Sequence, residues 1–548
     1  MAKTNRKEGE YSADYWVQYV EDKFKEAKNY RSTRVEKQWM INYAFYKGWQ
    51  NLKYNTHTQR LVFDESDPLK FYVNMVYTTV RAIRAAVTKD QPIWDVDARP
   101  YGSMTQGETR ALSAYLDTLY EKLDVKYKTK ELVMYGLLYG AGIFQYGFDA
   151  DADEGEGEVW VETLDPFDVY IDPVATGMDD ARHIIKVVRK SVEDLQKNPR
   201  YQNTDGLGAD NKLSESPYKE MIARRENNAY GEAPNTILLY EAWCKTDDGI
   251  RVITTAGGRL LRNEVTSFKN LPFLVYQPDI NPNEVYGEGW VKNLVPINRA
   301  VNALERSNLE YHTLFAKGKY ITDAESGIKT ITNENGQIIR KPRGSNLEVM
   351  DMKPMSASVF KQIESLNRYA QDVGAAHEAF LGRTPTGVTA AIAFETLVAN
   401  AMNNLVDLLD NLEITLSELG EELLKLGREF YTTSKSFKMQ MGDMDEVMSV
   451  VGMGAEGMLG YANVIPLPER PEVRVRITSG IAHTRAARQE TLIGLRGAGD
   501  ISRRTLLEEL DFDPEEEQRR LQEEMMPPQD PMAGLPADLP LPEGEPIL

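Results

Sequence analysis

The sequence has a single cysteine, Cys244, so it can form neither an intrachain disulfide nor a multi-cysteine zinc site. The neighbours Glu241, Ala242 and Trp243 read as strand, and a buried structural thiol is expected there rather than a nucleophile. Histidines number only five. Positive charge is short as well: 64 Lys and Arg stand against 84 Asp and Glu, a formal net charge of −20. Proteins that grip phosphates over their whole surface do so with Lys and Arg, so any contact with DNA has to be local or weak. Long apolar runs are missing too. The longest, around Val133 to Phe144, is interrupted by Gly136, Gly140 and Gly142 and falls short of the roughly 20 residues a spanning helix takes. No membrane span is expected. The opening MAKTNRKEGE is hydrophilic, and no secretory signal is read from it.

Motifs that carry chemistry are equally scarce. No G-x-x-x-x-G-K-[ST] run exists to cradle a nucleotide, and no G-x-S-x-G nucleophile elbow is present. Gly452-Met453-Gly454-Ala455-Glu456-Gly457 fits G-x-G-x-x-G but leads to Gly460 and Pro466 instead of a helix, so it reads as a flexible loop. His377-Glu378 begins like the zinc motif H-E-x-x-H, yet Leu381 stands where the second histidine is needed. Asp149, Asp151 and Asp153 imitate the first ligands of a calcium loop, but Glu154 replaces the glycine and Trp160 the bidentate glutamate, so the acidic turn 149–158 reads as a solvated turn. No catalytic residue, metal or cofactor is expected.

What is present suits a globular chain of 548 residues, long enough for three or four modules at roughly 150 residues each. Trp16, Tyr19, Val20 and Phe24, then Val35, Trp39, Ile41 and Phe45, have the spacing of two amphipathic helices, the second ended by Gly48. Further helices are predicted over about 73–89, 105–124 and 126–141, with a strand at Ile93-Trp94-Asp95-Val96. Alternation in Ile143-Phe144-Gln145-Tyr146 and Val159-Trp160-Val161 predicts a β-hairpin. Short strands follow at 168–171, 184–189, 236–244, 250–254 and 272–276, and the polar stretch 198–235 reads as a loop. The first half is therefore mixed α+β.

The second half changes character. A helix is predicted from Gly289 to about Phe315, then a small strand-and-turn insert to Met352 with Asn335-Gly336 at its hairpin turn. The helical period returns at Phe360, Ile363, Leu366, Ala370 and Val373. After a Gly/Pro break, Leu405, Leu408, Leu412, Leu416, Leu419, Leu423, Leu426 and Phe430 keep steps of three and four, which predicts one long helix over about 389–431. A Gly- and Met-rich segment over 442–460, a strand at 472–478 and helices at 484–497 and 502–510 complete the pattern. The last 22 residues hold seven prolines and no basic residue and read as a disordered tail.

This order of elements resembles that of phage portal proteins. Leu164-Asp165-Pro166-Phe167-Asp168-Val169-Tyr170-Ile171-Asp172-Pro173 is similar to the family's "P-x-D-V-Y-x-D-P" element. Leu271-Pro272-Phe273, then Tyr286-Gly287-Glu288-Gly289 and the helix carrying Asn298, resemble the start of its first stem helix. The stretch from Gly497 to Glu508, with Phe512-Asp513, resembles the end of its crown.

The resemblance implies an α+β portal-like fold assembled as a ring around an axial channel. It places a mixed α/β wing at 1–285, the first stem helix at 286–316, a small β clip at 317–357 and the second stem helix at 358–381. A tunnel loop at 382–389, a second wing part at 390–480, a helical crown at 481–526 and the tail at 527–548 follow. On that mapping Arg383, Thr384, Pro385, Thr386, Gly387, Val388 and Thr389 form the loop facing DNA, unless they are a plain helix connection. Lys361 and Arg368, seven residues apart on one helix face near Glu364, either contact phosphates or pair with Glu364 or Asp372. The basic residues Lys329, Arg340, Lys341 and Arg343 of the clip are docking candidates.

The partners implied are a ring of about twelve copies and double-stranded DNA, held weakly and without sequence preference. The terminase large subunit, a head-completion or tail adaptor protein, and the major capsid and scaffolding proteins follow from the same resemblance. It places the chain at a capsid vertex of a virion assembled in the host cytoplasm. Two rival classes remain open: another ring-forming virion component such as a tail adaptor, and a DNA-processing enzyme, which needs clustered carboxylates or a P-loop.

Overall fold

Ser12 accepts a hydrogen bond from the Tyr15 N–H and starts the first helix, whose Trp16, Val20, Phe24 and Ala27 turn to one side. The computed structural model describes residues 11–55, 60–63, 71–97, 104–226, 235–282, 284–316, 320–324, 343–344, 346–349, 355–375, 402–441, 444–454 and 463–477, with 492, 496, 497, 502 and 506. Those last five belong to a second unit, residues 389–399 and 480–548; all the others lie in one compact unit. Within the second unit the Leu506 N–H donates to the Ser502 carbonyl at 3.0 Å, the step of a helical turn.

In chain order the first unit runs α1 (Ala13–Arg34), α2 (Glu36–Tyr46), β1 (Leu52–Asn55), β2 (Arg60–Phe63), α3 (Met75–Val87), β3 (Ile93–Val96), α4 (Gln106–Lys122) and α5 (Val125–Tyr139). Then come β4 (Gly142–Asp149), β5 (Glu158–Leu164), β6 (Val169–Ile171), β7 (His183–Ser191), α6 (Val192–Lys197), α7 (Pro217–Glu226), β8 (Thr236–Thr246), β9 (Gly249–Ala256), β10 (Arg259–Val265) and β11 (Phe273–Tyr276). The last part holds α8 (Leu294–Ala316), β12 (Tyr320–Thr322), β13 (Leu347–Val349), α9 (Ala357–Gly374), α10 (Val406–Phe430), β14 (Lys435–Met441), β15 (Met444–Val451), β16 (Val464–Pro466) and β17 (Val473–Arg476).

The core is layered. An antiparallel five-stranded sheet in the order β10-β9-β8-β7-β6 takes α1 on one face, where Trp16, Val20 and Phe24 meet Tyr170, Ile185, Leu238, Ala242 and Cys244. Side chains alternate across a strand, so Lys186 points to the other face. There its ammonium donates to Gln145 and Glu162, both at 2.8 Å, and joins a three-stranded sheet, β11-β4-β5. α10 covers that second sheet: Phe148 stacks on Phe430 at 5.0 Å, and the Tyr276 hydroxyl donates to the Leu408 carbonyl at 3.3 Å. A buried chain of polar groups fixes the end of α10, with Tyr115 donating to Tyr431 at 2.9 Å and Tyr431 to Glu158 at 2.6 Å.

Several expectations are corrected. The helix read over about 389–431 is interrupted: Leu405 has φ −112° and ψ 6°, its N–H closes a tight turn on the Met402 carbonyl, and α10 starts only at Val406. At 25 residues it is about 38 Å long. Residues 389–401 lie outside the described ones. The helix read over 358–381 closes at Gly374, because Ala375 takes the left-handed conformation at φ 52°. The polar stretch 198–235 contains α7, held by Lys219 to Asp165 and Asp168. The Gly- and Met-rich segment includes β15, and a Cβ on Gly452 would meet the carbonyls of Gly427, Arg428 and Tyr431; residues 455–457 of the loop read over 452–457 lie outside the described ones. Strand β10 carries no alternation of burial and is a strand that periodicity does not reveal.

Candidate functional site

The two helices α8 and α9 pack against each other as a hairpin, and their base is built from contacts that leave little freedom. Gly140 ends α5 at φ +86°, and a Cβ there would come within 2.6 Å of the Gly287 and Glu288 backbone. Across from it Gly287 has φ +63°, and a Cβ on Gly289 would overlap the Leu138 carbonyl. The segment Tyr286-Gly287-Glu288-Gly289 therefore needs its glycines to lie flush on the end of α5. Tyr286 anchors it, receiving from the Ile171 N–H at 2.9 Å and donating to the Val169 carbonyl at 3.2 Å. The Trp290 indole N–H donates to the Gly374 carbonyl at 3.3 Å and so ties the start of one helix to the end of the other.

One turn into α8, two buried asparagines grip the strand-like segment before α3. Asn298 donates to the Val73 carbonyl at 2.8 Å and accepts from the Met75 N–H at 3.2 Å. Asn302 accepts from the Val73 N–H at 2.8 Å and donates to Gln50. Four residues apart on one helix face, they satisfy backbone groups that no strand pairs. Asn302 and Gln50 were not singled out by sequence; an Asn at i and i+4 on an otherwise apolar face is the signal that marks them.

The Leu164–Pro173 element is a second hub. Arg31 is fully buried, paired with Glu36 at 2.8 Å, and it donates to the carbonyls of Pro166 at 3.0 Å and Val169 at 2.7 Å while its guanidinium lies 3.6 Å from the Tyr170 ring centre. Asp172 receives both arms of Arg182 at 2.6 and 2.9 Å. Asp165, Asp168 and Asp172 thus each have a cationic partner, and the Tyr170 ring has Arg31, while the buried Tyr170 hydroxyl has no hydrogen-bond partner among the described residues.

A profile of the family described as "Phage SU10 portal protein" matches residues 99–377, about half of the chain. The chain belongs to the phage portal protein family. No curated protein matches it. Among solved structures, one titled "Neck of empty GTA particle computed with C6 symmetry" is similar at 11% identity and a TM-score of 0.39, covering 80% of this chain and 90% of that one. The portal family is a structural family of the virion, and the matched span contains the hub at Leu164–Pro173 and the whole α8–α9 hairpin.

On this portal hairpin Lys361, Glu364 and Arg368 are all exposed on α9. Lys361 and Arg368 lie about 160° around the axis from the buried Ile363 and Ala370, at about 100° per residue, and so face away from α8. Neither forms a salt bridge with Glu364, Asp372 or any other described residue. In the insert between the helices, β12 pairs with β13, and Asp323 accepts from the Asn346 N–H at 2.8 Å beside them. Arg343 is exposed in a turn. Lys329, Arg340, Lys341 and the loop from Arg383 to Thr389 lie outside the described residues, as does His377-Glu378.

The acidic turn carries its own counter-charges. Arg200 meets Asp149 at 2.8 Å and Asp151 at 3.3 Å, and Lys435 meets Asp153 at 2.6 Å and Glu156 at 3.3 Å. Among the described residues no group of three or more potential ligand side chains is placed to hold a metal ion, and no helix is long and apolar enough to cross a membrane. Cys244 is buried in β8, and burial pushes its thiol up to about 12, far from a reactive thiolate.

Proposed function

We propose that this portal chain forms a closed ring, of twelve copies, around a channel through which double-stranded DNA enters and leaves a capsid at one vertex. The observation that carries the reading is the α8–α9 hairpin: it is braced at its base by Gly289, Trp290, Asn298 and Asn302, and it turns away from its own partner helix a polar strip whose cations form no ion pair among the described residues. In the ring that strip, with Lys361, Glu364 and Arg368, faces the lumen. Two cations per copy on an otherwise acidic chain give DNA a few sequence-independent contacts while letting it slide.

The segment from Arg383 to Thr389 (Arg383, Thr384, Pro385, Thr386, Gly387, Val388, Thr389) is the tunnel loop in this reading. The clip residues Lys329, Arg340, Lys341 and Arg343 meet the terminase large subunit during packaging and a head-completion or tail adaptor protein afterwards. Capsid and scaffolding proteins surround the ring, and the chain itself acts as a conduit without enzymatic activity. Native mass spectrometry with negative-stain imaging of the purified protein tests the reading: a ring near twelve subunits with a central hole is expected. A monomer or dimer under all assembly conditions would overturn it.

A further inference from the structure

Outside the hairpin, α10 buries Leu408, Leu412, Leu416, Leu419 and Leu423 and turns a second stripe outward, in which Val406, Asp410, Ile414 and Glu418 follow at steps of four. Ile414 is 57% exposed in the middle of it. A groove of about 700 Å³ runs beside this stripe, between α10 and β17, with Ile414 and Val475 as its apolar part and Asp410 and Glu418 at its rim. Arg474 and Arg476 on the β17 side pair with Asp97 and Asp95, both at 3.3 Å. Asp410 and Glu418 pair with no cation among the described residues. The groove is lined by four carboxylates, Asp410, Glu413, Glu418 and Glu421, against two arginines that already pair with Asp95 and Asp97; burial, followed by the neighbouring carboxylates Asp179, Glu421 and Glu422, pushes the Glu418 carboxyl up.

A surface of opposite character lies at the first turn of α5. Tyr127 is 64% exposed, and Lys126 and Lys130 flank it without a carboxylate partner among the described residues. α5 packs on α2 and α3, with Tyr139 against Trp39 and Arg84 against Met134, whereas α10 packs on β17. The two surfaces are thus different patches of one compact unit, one with two lysines beside a protruding aromatic ring, the other a mostly polar groove in which Ile414 is the exposed apolar side chain.

We propose that they meet between neighbouring copies: Tyr127 of one chain enters the α10 groove of the next, onto Ile414, with Lys126 and Lys130 set against Asp410 and Glu418. Two unlike patches make a heterologous contact, the kind that closes into a ring when its rotation allows. A tyrosine in a pocket ringed by charge pairs is the usual composition of an energetic anchor, and the charges fix its register. Asp410 and Glu418 stand about 12 Å apart along α10 and the two lysines about 6 Å apart along α5, a difference the flexible four-carbon lysine stems span.

This inference rests on the ring reading above, and the experiment separates the two. Wild-type protein, the pair Lys126→Glu with Lys130→Glu, the pair Asp410→Lys with Glu418→Lys, and all four changes together are compared by native mass spectrometry at low salt, with thermal melts to check folding. Each pair is expected to lower the ring population at least about tenfold, and the fourfold variant to regain most of it. Tyr127→Ala is expected to lower it as well, at unchanged melting temperature. A wild type that forms rings while both reversed pairs form them equally well, or a fourfold variant that stays dissociated, overturns the contact and leaves the ring reading standing. A wild type that never assembles overturns both.

Discussion

The backbone N–H of Val475 donates to the Ser417 hydroxyl at 2.9 Å, and this bond is the middle rung of a ladder. Ile477 N–H donates to Glu413 at 2.6 Å and Val473 N–H to Glu421 at 3.4 Å. Acceptors four residues apart on a helix rise about 6 Å, and alternate residues of a strand about 6.6 Å, so α10 stands in for the missing neighbour of β17. It thereby covers a strand edge that would otherwise be open to pairing. Ser417→Ala should leave the Val475 N–H without an acceptor and cost about 1 kcal/mol, read as a lower urea midpoint at unchanged m-value.

The flush contacts of Gly140 on Gly287 and Glu288, and of Gly289 on Leu138, lead to a sharper loss. Gly289→Ala places a methyl group on the Leu138 carbonyl, and Gly140→Ala adds both that crowding and an unfavourable φ of +86°. Each is expected to destabilise by about 3 kcal/mol or more, whereas Gly177→Ala, with open space around it, should be nearly neutral. Thermal melts of the three variants decide it.

Asn298→Ala and Asn302→Ala remove the grip of α8 on Val73 and Met75 and should cost about 1–3 kcal/mol each. The two share Val73 and Gln50, so the double variant should lose less than the sum. Hydrogen exchange at Val73 and Met75 should speed up in both single variants; unchanged protection would exclude the clamp.

Asp172 sets a pH dependence. Burial works against its charged form, but the Arg182 fork and the Val174 and Arg182 N–H groups outweigh it and hold the carboxyl at about 2. An unfolded aspartate titrates near about 3.9, so the folded state binds fewer protons, and the stability is present above about pH 4 and lost as pH falls toward 2. Asp172→Asn should be less stable at pH 7 and show a shallower decline between pH 4 and 2 in urea melts.

For the strip proposed to face the lumen, Lys361→Ala with Arg368→Ala should leave the ring intact and weaken its binding of double-stranded DNA at low salt. The slope of log affinity against log salt should become shallower by about 0.9 for each phosphate no longer neutralised, measured by fluorescence anisotropy. An unchanged slope removes these residues from the lumen.

How far the sequence alone carries differs from element to element. The apolar steps of α1, α3 and α10 and the hairpin of β4 and β5 were legible, because each depends on neighbours close in the chain. So was the family; of its quoted segments, 164–173 and 286–289 turn out to be packing devices, an aspartate-rich turn around Arg31 and glycines pressed on α5. The break at Leu405 and the end of α9 at Ala375 were not, since a tight turn can interrupt a period without disturbing it. Only the tertiary structure pairs β3 with β17, where Arg476 reaches Asp95 across 381 residues, and lets helix side chains finish the sheet. Nor could periodicity tell that Asn298 and Asn302 hold another segment's backbone. Local spacing says which face of an element is apolar; which partner covers it depends on packing between residues far apart in the chain.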